Sequence, residues 1–88
     1  MNHNTTTKFW KRYYNLPEAV QELADKNFSL LKADPLHPSL HFKELSGKDN
    51  LWAARVGDHF RALAIREDNE LYWFWIGPHA EYDRIISQ

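Results

Sequence analysis

The chain has 88 residues, a length that fits one domain with a small core, and its aromatic content of 15% supplies ring surface for that core. It has no Cys, which excludes disulfides, thiolate chemistry and Cys-based zinc sites. Lys and Arg total 11 against 12 Asp and Glu, so the net charge of −1 lacks the basic excess typical of nucleic-acid-binding domains.

The first segment, residues 1–7, is polar and is expected to be a flexible N-terminus or a short edge strand ahead of a single domain over 8–88. It lacks the apolar segment of a signal peptide. No apolar run in the chain approaches the ~18 residues of a membrane span. We therefore expect a cytoplasmic protein that makes no membrane contact.

Two helices are predicted next. Aromatic side chains recur at helical spacing over 8–14, at Phe9, Trp10, Tyr13 and Tyr14. Pro17 suits the first turn of a second helix, and the apolar stripe that follows predicts an amphipathic helix over 17–33. Because the connection is short, the two helices should form a hairpin. Pro35 and Pro38 end the helical pattern.

Short strands with tight turns are predicted after Pro38. They cover residues 40–45, 51–56, 60–66 and 71–76. Tight connections favour an antiparallel meander, so we expect an α+β fold with an N-terminal helical hairpin packed on a small antiparallel sheet of about four strands. Three tryptophans share a strand parity that predicts one common face, namely Trp52, Trp73 and Trp75. That face would pack in the core or, as the alternative, stack on bases. The tail over 79–88 should form about one helical turn.

Four motifs stand out by their order and spacing. They are Phe9-Trp10-Lys11 with Leu16-Pro17, Lys43-Glu44-Leu45-Ser46-Gly47, the stretch from Leu51-Trp52 to Phe60-Arg61, and Trp75-Ile76-Gly77-Pro78-His79 with Tyr82. Together they resemble the RelE/ParE superfamily of bacterial type II toxins, and the resemblance covers roughly residues 8–84. The resemblance implies the RelE/ParE fold over nearly the whole chain.

The resemblance also implies two classes of activity. RelE-like members cut messenger RNA in the ribosomal A site, and ParE-like members inhibit DNA gyrase without obvious catalytic residues. Both are normally held inactive by a cognate antitoxin protein. The leading hypothesis is therefore the toxin of a type II toxin–antitoxin system that acts as a ribosome-dependent mRNA endoribonuclease. The alternatives are a non-enzymatic inhibitor of DNA gyrase and a non-toxic member that only binds an antitoxin-like partner.

RNA cleavage of this kind needs a base for the attacking 2′-hydroxyl, cations for the developing phosphorane charge, and an acid for the leaving 5′-oxygen. By resemblance, Arg61 matches the family's catalytic arginine, and His79 matches a C-terminal histidine that serves as general acid or base. Tyr82 would support them. Arg55 is a second phosphate ligand if the turn at Gly57 brings it beside Arg61. We expect no cofactor and no metal.

Each candidate also has a structural interpretation. Either arginine could pair with a carboxylate such as Asp58, and Tyr82 could anchor the tail in the core. A near-neutral chain needs a focused cationic patch to bind ribosomal RNA. The candidate substrate-binding residues of such a patch are Lys43, Lys48 and Arg84.

Two further features of the sequence concern possible site residues, a pair of histidines and a tryptophan near the C-terminus. His37 and His41 have the spacing of a helical metal pair, but Pro38 lies between them in a segment that should be extended. By resemblance, His41 lies where some RelE-like ribonucleases carry an extra catalytic histidine. Trp75 stands four positions before His79, where some members have another arginine.

Overall fold

The computed structural model describes all 88 residues as an α+β fold with a five-stranded mixed sheet. The elements are β1 (Asn2–Thr5), α1 (Thr7–Tyr13), α2 (Glu18–Ala33), β2 (Lys43–Glu44), β3 (Leu51–Val56), β4 (Phe60–Glu67), β5 (Glu70–Pro78) and α3 (His79–Ile86), with a 3₁₀ turn at Pro38–Leu40. The strand order is β1-β5-β4-β3-β2. None of the helices has the length and apolar character that a membrane crossing requires.

The prediction of about four antiparallel strands is corrected by β1, which pairs parallel with β5 at one edge of the sheet. The helical hairpin therefore follows a strand instead of opening the chain. Asn4 Nδ2 donates a hydrogen bond to the carbonyl of Leu71 at 3.2 Å. Thr6 anchors the next link, because its hydroxyl donates to the carbonyl of Trp73 at 3.0 Å and accepts from Phe9 N at 3.2 Å, which caps α1. Polar side chains thus hold β1 on the sheet.

His3 fastens β1 from the inner face. Its ring stacks on Trp73 with centroids 6.1 Å apart, and its Nδ1 accepts a hydrogen bond from Trp73 Nε1 at 3.1 Å. The ring also meets Phe28 of α2 edge-on at 5.6 Å. Burial lowers the pKa of His3 below its ordinary 6.5, and the charges of the N-terminus and Lys32 lower it further. The folded state therefore favours the neutral imidazole of His3.

We expect acid to destabilise the fold through His3. The unfolded chain binds this proton more readily, so the contribution is full above the ordinary pKa of 6.5 and falls as the pH drops below it. His3→Asn keeps an acceptor in the place of Nδ1 but does not titrate, so it should lose less stability than the parent between about pH 7.5 and about pH 5. Denaturant unfolding at both pH values measures this, with His59→Asn as the control. Equal acid losses in the parent and His3→Asn would contradict it.

The two helices α1 and α2 pack on one face of the sheet, and α3 packs on the other. The first core contains Leu31 from α2 and Leu71 and Trp73 from β5, all nearly free of solvent contact. The second core is smaller and holds Tyr82 of α3 against the sheet. The domain therefore has two layers of helix around one sheet, and the face under α3 is only partly covered.

Strand β3 begins and ends as the pattern predicts, while β4 and β5 run slightly longer than predicted. The predicted strand over 40–45 is wrong for most of its length. A 3₁₀ turn occupies Pro38–Leu40, and His41 adopts a left-handed backbone with φ of 43°. Only Lys43–Glu44 joins the sheet. The predicted single helical turn at the C-terminus is instead the 8-residue helix α3.

Trp73 and Trp75 lie on opposite faces of the sheet, against the prediction of one common face. The register of β4 with β5 shifts between Leu63 and Ala64, which pair with Trp75 and Trp73, so Phe74 is an extra residue on β5. This bulge reverses the alternation of side chains. Trp73 therefore packs under the helical hairpin, and Trp75 packs with Tyr82 under α3.

Candidate functional site

A cleft of about 200 Å³ lies where the turn between β3 and β4, the start of α3 and the entry to β2 meet. Its lining residues are His41, Lys43, Ala53, Ala54, Arg55, Arg61, His79 and Tyr82. Five of these eight carry a basic or imidazole side chain, and none carries a carboxylate. The sequence thus supplies a focused cationic cluster in a chain whose net charge is −1.

The hairpin turn places the two arginines directly opposite each other, because Arg55 pairs with Arg61 across β3 and β4. Two like charges in opposed positions repel unless other groups compensate them. Arg55 has such a group, since its Nη2 lies 2.7 Å from Oδ1 of Asp58. Its Nε also donates to the carbonyl of Gly57 at 3.2 Å. The structure therefore contains the ion pair with Asp58 that the structural interpretation of Arg55 predicts.

Arg61 has no carboxylate partner. Its Nη1 donates to the main-chain carbonyls of Gly57 at 3.2 Å, Asp58 at 3.4 Å and Phe60 at 2.7 Å. The two ion pairs of the whole chain are Arg55 with Asp58 and His79 with Asp83. The charge of Arg61 thus remains uncompensated at a fixed position, and a guanidinium so held is suited to a phosphate.

The start of α3 brings His79 and Tyr82 to the cleft. His79 follows the N-cap Pro78, and its main-chain N–H donates to the carbonyl of His59 at 2.8 Å, which ties α3 to the hairpin turn. Its Nε2 lies 3.2 Å from Oδ1 of Asp83, one helical turn later. Because the side chains of His79 and Asp83 are both exposed, the imidazole is oriented but still accessible to a ligand.

Tyr82 is buried beneath the cleft, with its ring 5.9 Å from that of His79. Burial raises the pKa of Tyr82, the charge of Arg61 lowers it, and the charge of Asp83 raises it. The net shift is upward, so the phenol stays protonated at neutral pH. Tyr82 can donate a hydrogen bond to a ligand but cannot act as a base there. It also anchors α3 in the core, as its structural interpretation predicts.

Lys43 and His41 enter the cleft from the side of β2. Lys43 pairs with Ala53, whose side chain packs near Tyr82, so Lys43 stands on the face that carries α3. His41 reaches the cleft through its left-handed backbone. Its former partner in the metal hypothesis, His37, instead accepts from Ser39 N at 3.2 Å and caps the 3₁₀ turn. No group of three or more potential metal ligands is present in the chain.

Two of the predicted substrate-binding residues do not line the cleft. Lys48 donates to the main-chain carbonyl of Gln88 and so joins the loop before β3 to the end of the chain. Arg84 is exposed in the last turn of α3. Trp75 is buried beside the cleft and covers Gly77, where an added Cβ would lie 2.7 Å from Cζ2 of the indole.

Gly57 sets the turn on which both arginines depend. Its φ is +64°, and a Cβ would lie 2.6 Å from Cδ2 of Leu23 in α2. Its carbonyl also accepts from Arg55 and Arg61. We expect Gly57→Ala to destabilise the fold by about 2–4 kcal/mol, from the left-handed backbone and from overpacking.

Thermal and denaturant unfolding measure the effect of Gly57→Ala, and Gly47→Ala is the matched control. Gly47 also has a positive φ, of +73°, but nothing lies within 4 Å of its added Cβ. The control should lose only about 1–2 kcal/mol. Equal losses in the two variants would show that the contact with Leu23 carries no cost.

Comparisons with known proteins find similarity to this chain only among solved structures. No protein-family model and no curated protein matches the chain. The RelB–RelE antitoxin–toxin complex of Methanococcus jannaschii matches with a TM-score of 0.71 at 16% identity, covering 92% of this chain and 96% of that chain. YafQ of E. coli gives the same four values. The archaeal RelE–RelB complex of Pyrococcus horikoshii OT3 matches with a TM-score of 0.66 at 20% identity, covering 88% and 92%.

Proposed function

Because the chain has the fold of the RelE/ParE toxin superfamily, we propose that it is the toxin of a type II toxin–antitoxin pair and a ribosome-dependent mRNA endoribonuclease. One observation carries the proposal. Arg61 and Arg55, from paired strands, share a single cleft with Lys43, His79 and Tyr82. Phosphodiester cleavage by an adjacent 2′-hydroxyl needs cations and proton-transfer groups in this kind of arrangement.

Each side chain has a role in this proposal. Arg61 and Lys43 bind the non-bridging oxygens of the scissile phosphate and stabilise the charge that develops on the phosphorane. His79 transfers a proton as general acid or base, and Asp83 orients its ring. Tyr82, which stays protonated, donates a hydrogen bond to the phosphate. Arg55 adds a third cation once a phosphate competes with Asp58 for its guanidinium.

The local charge supports an RNA substrate where the bulk charge does not. Affinity for a polyanion depends on the cations that meet its phosphates, and these side chains are concentrated at one end of the sheet. The cleft volume of about 200 Å³ suits one phosphate and part of a ribose better than a whole nucleotide. We propose that the ribosome presents the strand and supplies the remaining contacts.

A protein inhibitor is part of the proposal. The matching structures include complexes of RelE with RelB, and the one from Methanococcus jannaschii is described as an antitoxin–toxin complex. We propose that this chain likewise has a cognate antitoxin.

A second candidate, the gyrase inhibitor, is favoured by one observation. Both guanidiniums already serve the turn between β3 and β4, through Asp58 and main-chain carbonyls. In a non-enzymatic binder, these arginines would only shape the hairpin, and its activity would not depend on His79.

The test is a cleavage assay with the purified chain, messenger RNA and programmed ribosomes, run with and without ribosomes. The expected result is cutting in the A site that requires ribosomes. If the well-folded chain at micromolar concentration cuts nothing, the nuclease proposal is wrong. A DNA supercoiling assay with gyrase then tests the second candidate.

A further inference from the structure

The outer edge of β3 is open beside the cleft. Strand β2 pairs with β3 at only two positions, Lys43 with Ala53 and Glu44 with Trp52. A longer ladder would place His41 opposite Arg55, but His41 has a left-handed backbone and the chain leaves the sheet there. Arg55 therefore has no ladder partner on the side of β2, and it makes no main-chain hydrogen bond to a turn or loop either.

Two main-chain bonds establish which residues of β3 point to this edge. Arg66 N donates to the carbonyl of Asn50 at 2.8 Å, and this pair continues the register of β3 with β4. On the other side, Leu45 N donates to the carbonyl of Leu51 at 2.8 Å. Hydrogen-bonded pairs alternate along an antiparallel ladder. Even-numbered residues of β3 therefore bond to β4, and the N–H of Arg55 points to the open edge.

The main chain of β3 is exposed to the cleft at this point. Ala54 has its side chain in the core under the helical hairpin, together with Val56. Ala54 nevertheless lines the cleft on the opposite face. It can do so only through its main-chain atoms, which lie next to the N–H of Arg55. The same cleft holds Lys43 and Arg61, so its surroundings favour an anion.

We propose that the main-chain N–H of Arg55 is an anion-binding donor of the cleft, and that it donates a hydrogen bond to a non-bridging phosphate oxygen. In naming RNA as the source of that phosphate, the inference rests on the proposed function. A main-chain donor that is fixed by the sheet and aimed at developing charge is the arrangement found in oxyanion holes. The donor needs no rotamer change to act.

The first experiment uses nitrogen-15 NMR of the full chain. The amide of Arg55 should exchange with solvent faster than those of Ala54 and Val56, both of which bond to β4. Titration with inorganic phosphate should move the Arg55 amide proton downfield and leave that of Ala53, which faces β2, in place. An Arg55 amide that is protected from exchange, or that phosphate does not move, would overturn the proposal.

The second experiment compares Arg55→Ala with Arg55→Pro in the ribosome-dependent cleavage assay. Both variants lose the guanidinium, but only the proline variant loses the N–H. Because this N–H makes no ladder bond, the strand edge should accept proline. We expect Arg55→Pro to cleave about 10²-fold more slowly than Arg55→Ala. Equal rates in two folded variants would contradict the inference, and the NMR titration decides it if the proline variant does not fold.

The two experiments separate this inference from the proposed function. If the chain cuts no RNA but phosphate moves the Arg55 amide, the nuclease proposal is wrong and the anion site stands. If the chain cuts RNA but the two variants cut equally and phosphate leaves the amide unmoved, the nuclease proposal stands and the anion site is wrong.

Discussion

Arg61→Ala is expected to lower the rate of ribosome-dependent cleavage by about 10²- to 10³-fold, the usual cost of removing one donor that stabilises transition-state charge. The side chain is the one arginine of the cleft without a carboxylate partner, so its charge is available to the phosphate. The measurement is the single-turnover rate on programmed ribosomes. Unfolding of the same variant should show a loss of only about 1–2 kcal/mol from the hydrogen bonds to the turn.

Arg66→Ala is the matched control for Arg61→Ala. Arg66 lies on the same strand β4, donates from Nε to the carbonyl of Asp68 at 2.8 Å, and lies over the ring of Trp52 on the other face. It therefore shares the residue type, the strand and the bond to a turn carbonyl, but not the cleft. Its cleavage rate should match that of the parent. Equal losses of rate in both variants would assign the effect to the strand instead of the phosphate.

Much of the hairpin at the cleft can be predicted from the sequence because its signals are local. Alternating side chains give the bounds of β3, and the Gly57-Asp58 turn brings Arg55 beside Arg61 once the strands pair. The fold named by the four motifs is confirmed by the structural neighbours. The alternation of side chains, the turn residues and the spacing of the arginines all lie within a short stretch of chain. The sequence alone is therefore enough to predict this hairpin.

The features of the fold and of the cleft that local signals do not predict depend on contacts between distant parts of the chain. Strand β1 is polar, so the sequence leaves it open as a flexible terminus or a short edge strand. The free edge of β5, about 70 residues later, accepts it as a strand through Asn4 and Thr6. The bulge at Phe74 leaves no mark in the sequence, yet it moves Trp75 to the other face. Lys48 contacts the main chain of Gln88, 40 residues later, and does not line the cleft.

His41 shows why the sequence does not predict all the residues that line the cleft. The two prolines before it predict an extended segment, and an extended His41 would pair with Arg55 in a longer β2. The left-handed backbone at His41 instead opens the edge of β3 and brings His41 into the cleft. A single left-handed backbone conformation, which is uncommon for residues other than glycine, thus produces both the space for a phosphate and the exposed amide of Arg55.

His79→Ala is expected to lower the cleavage rate by about 10²- to 10⁴-fold, the usual contribution of general acid–base catalysis. Added imidazole should restore part of the lost rate, because the missing group transfers a proton and leaves a space when it is removed. Asp83→Asn should have a smaller effect, since Asp83 only orients the ring from 3.2 Å at an exposed position. Rates with and without imidazole, measured for both variants on programmed ribosomes, test these expectations.

His59→Ala is the matched control for His79→Ala. His59 is an exposed histidine in the neighbouring turn, and it holds α3 through its main-chain carbonyl, which alanine retains. It should cleave like the parent. Equal rates in His79→Ala and His59→Ala would remove His79 from the chemistry. Survival of gyrase inhibition in a His79→Ala variant, in a chain that cuts no RNA, would assign the cleft arginines to the hairpin and the activity to protein binding, since a binder needs the shape of the turn but no proton transfer.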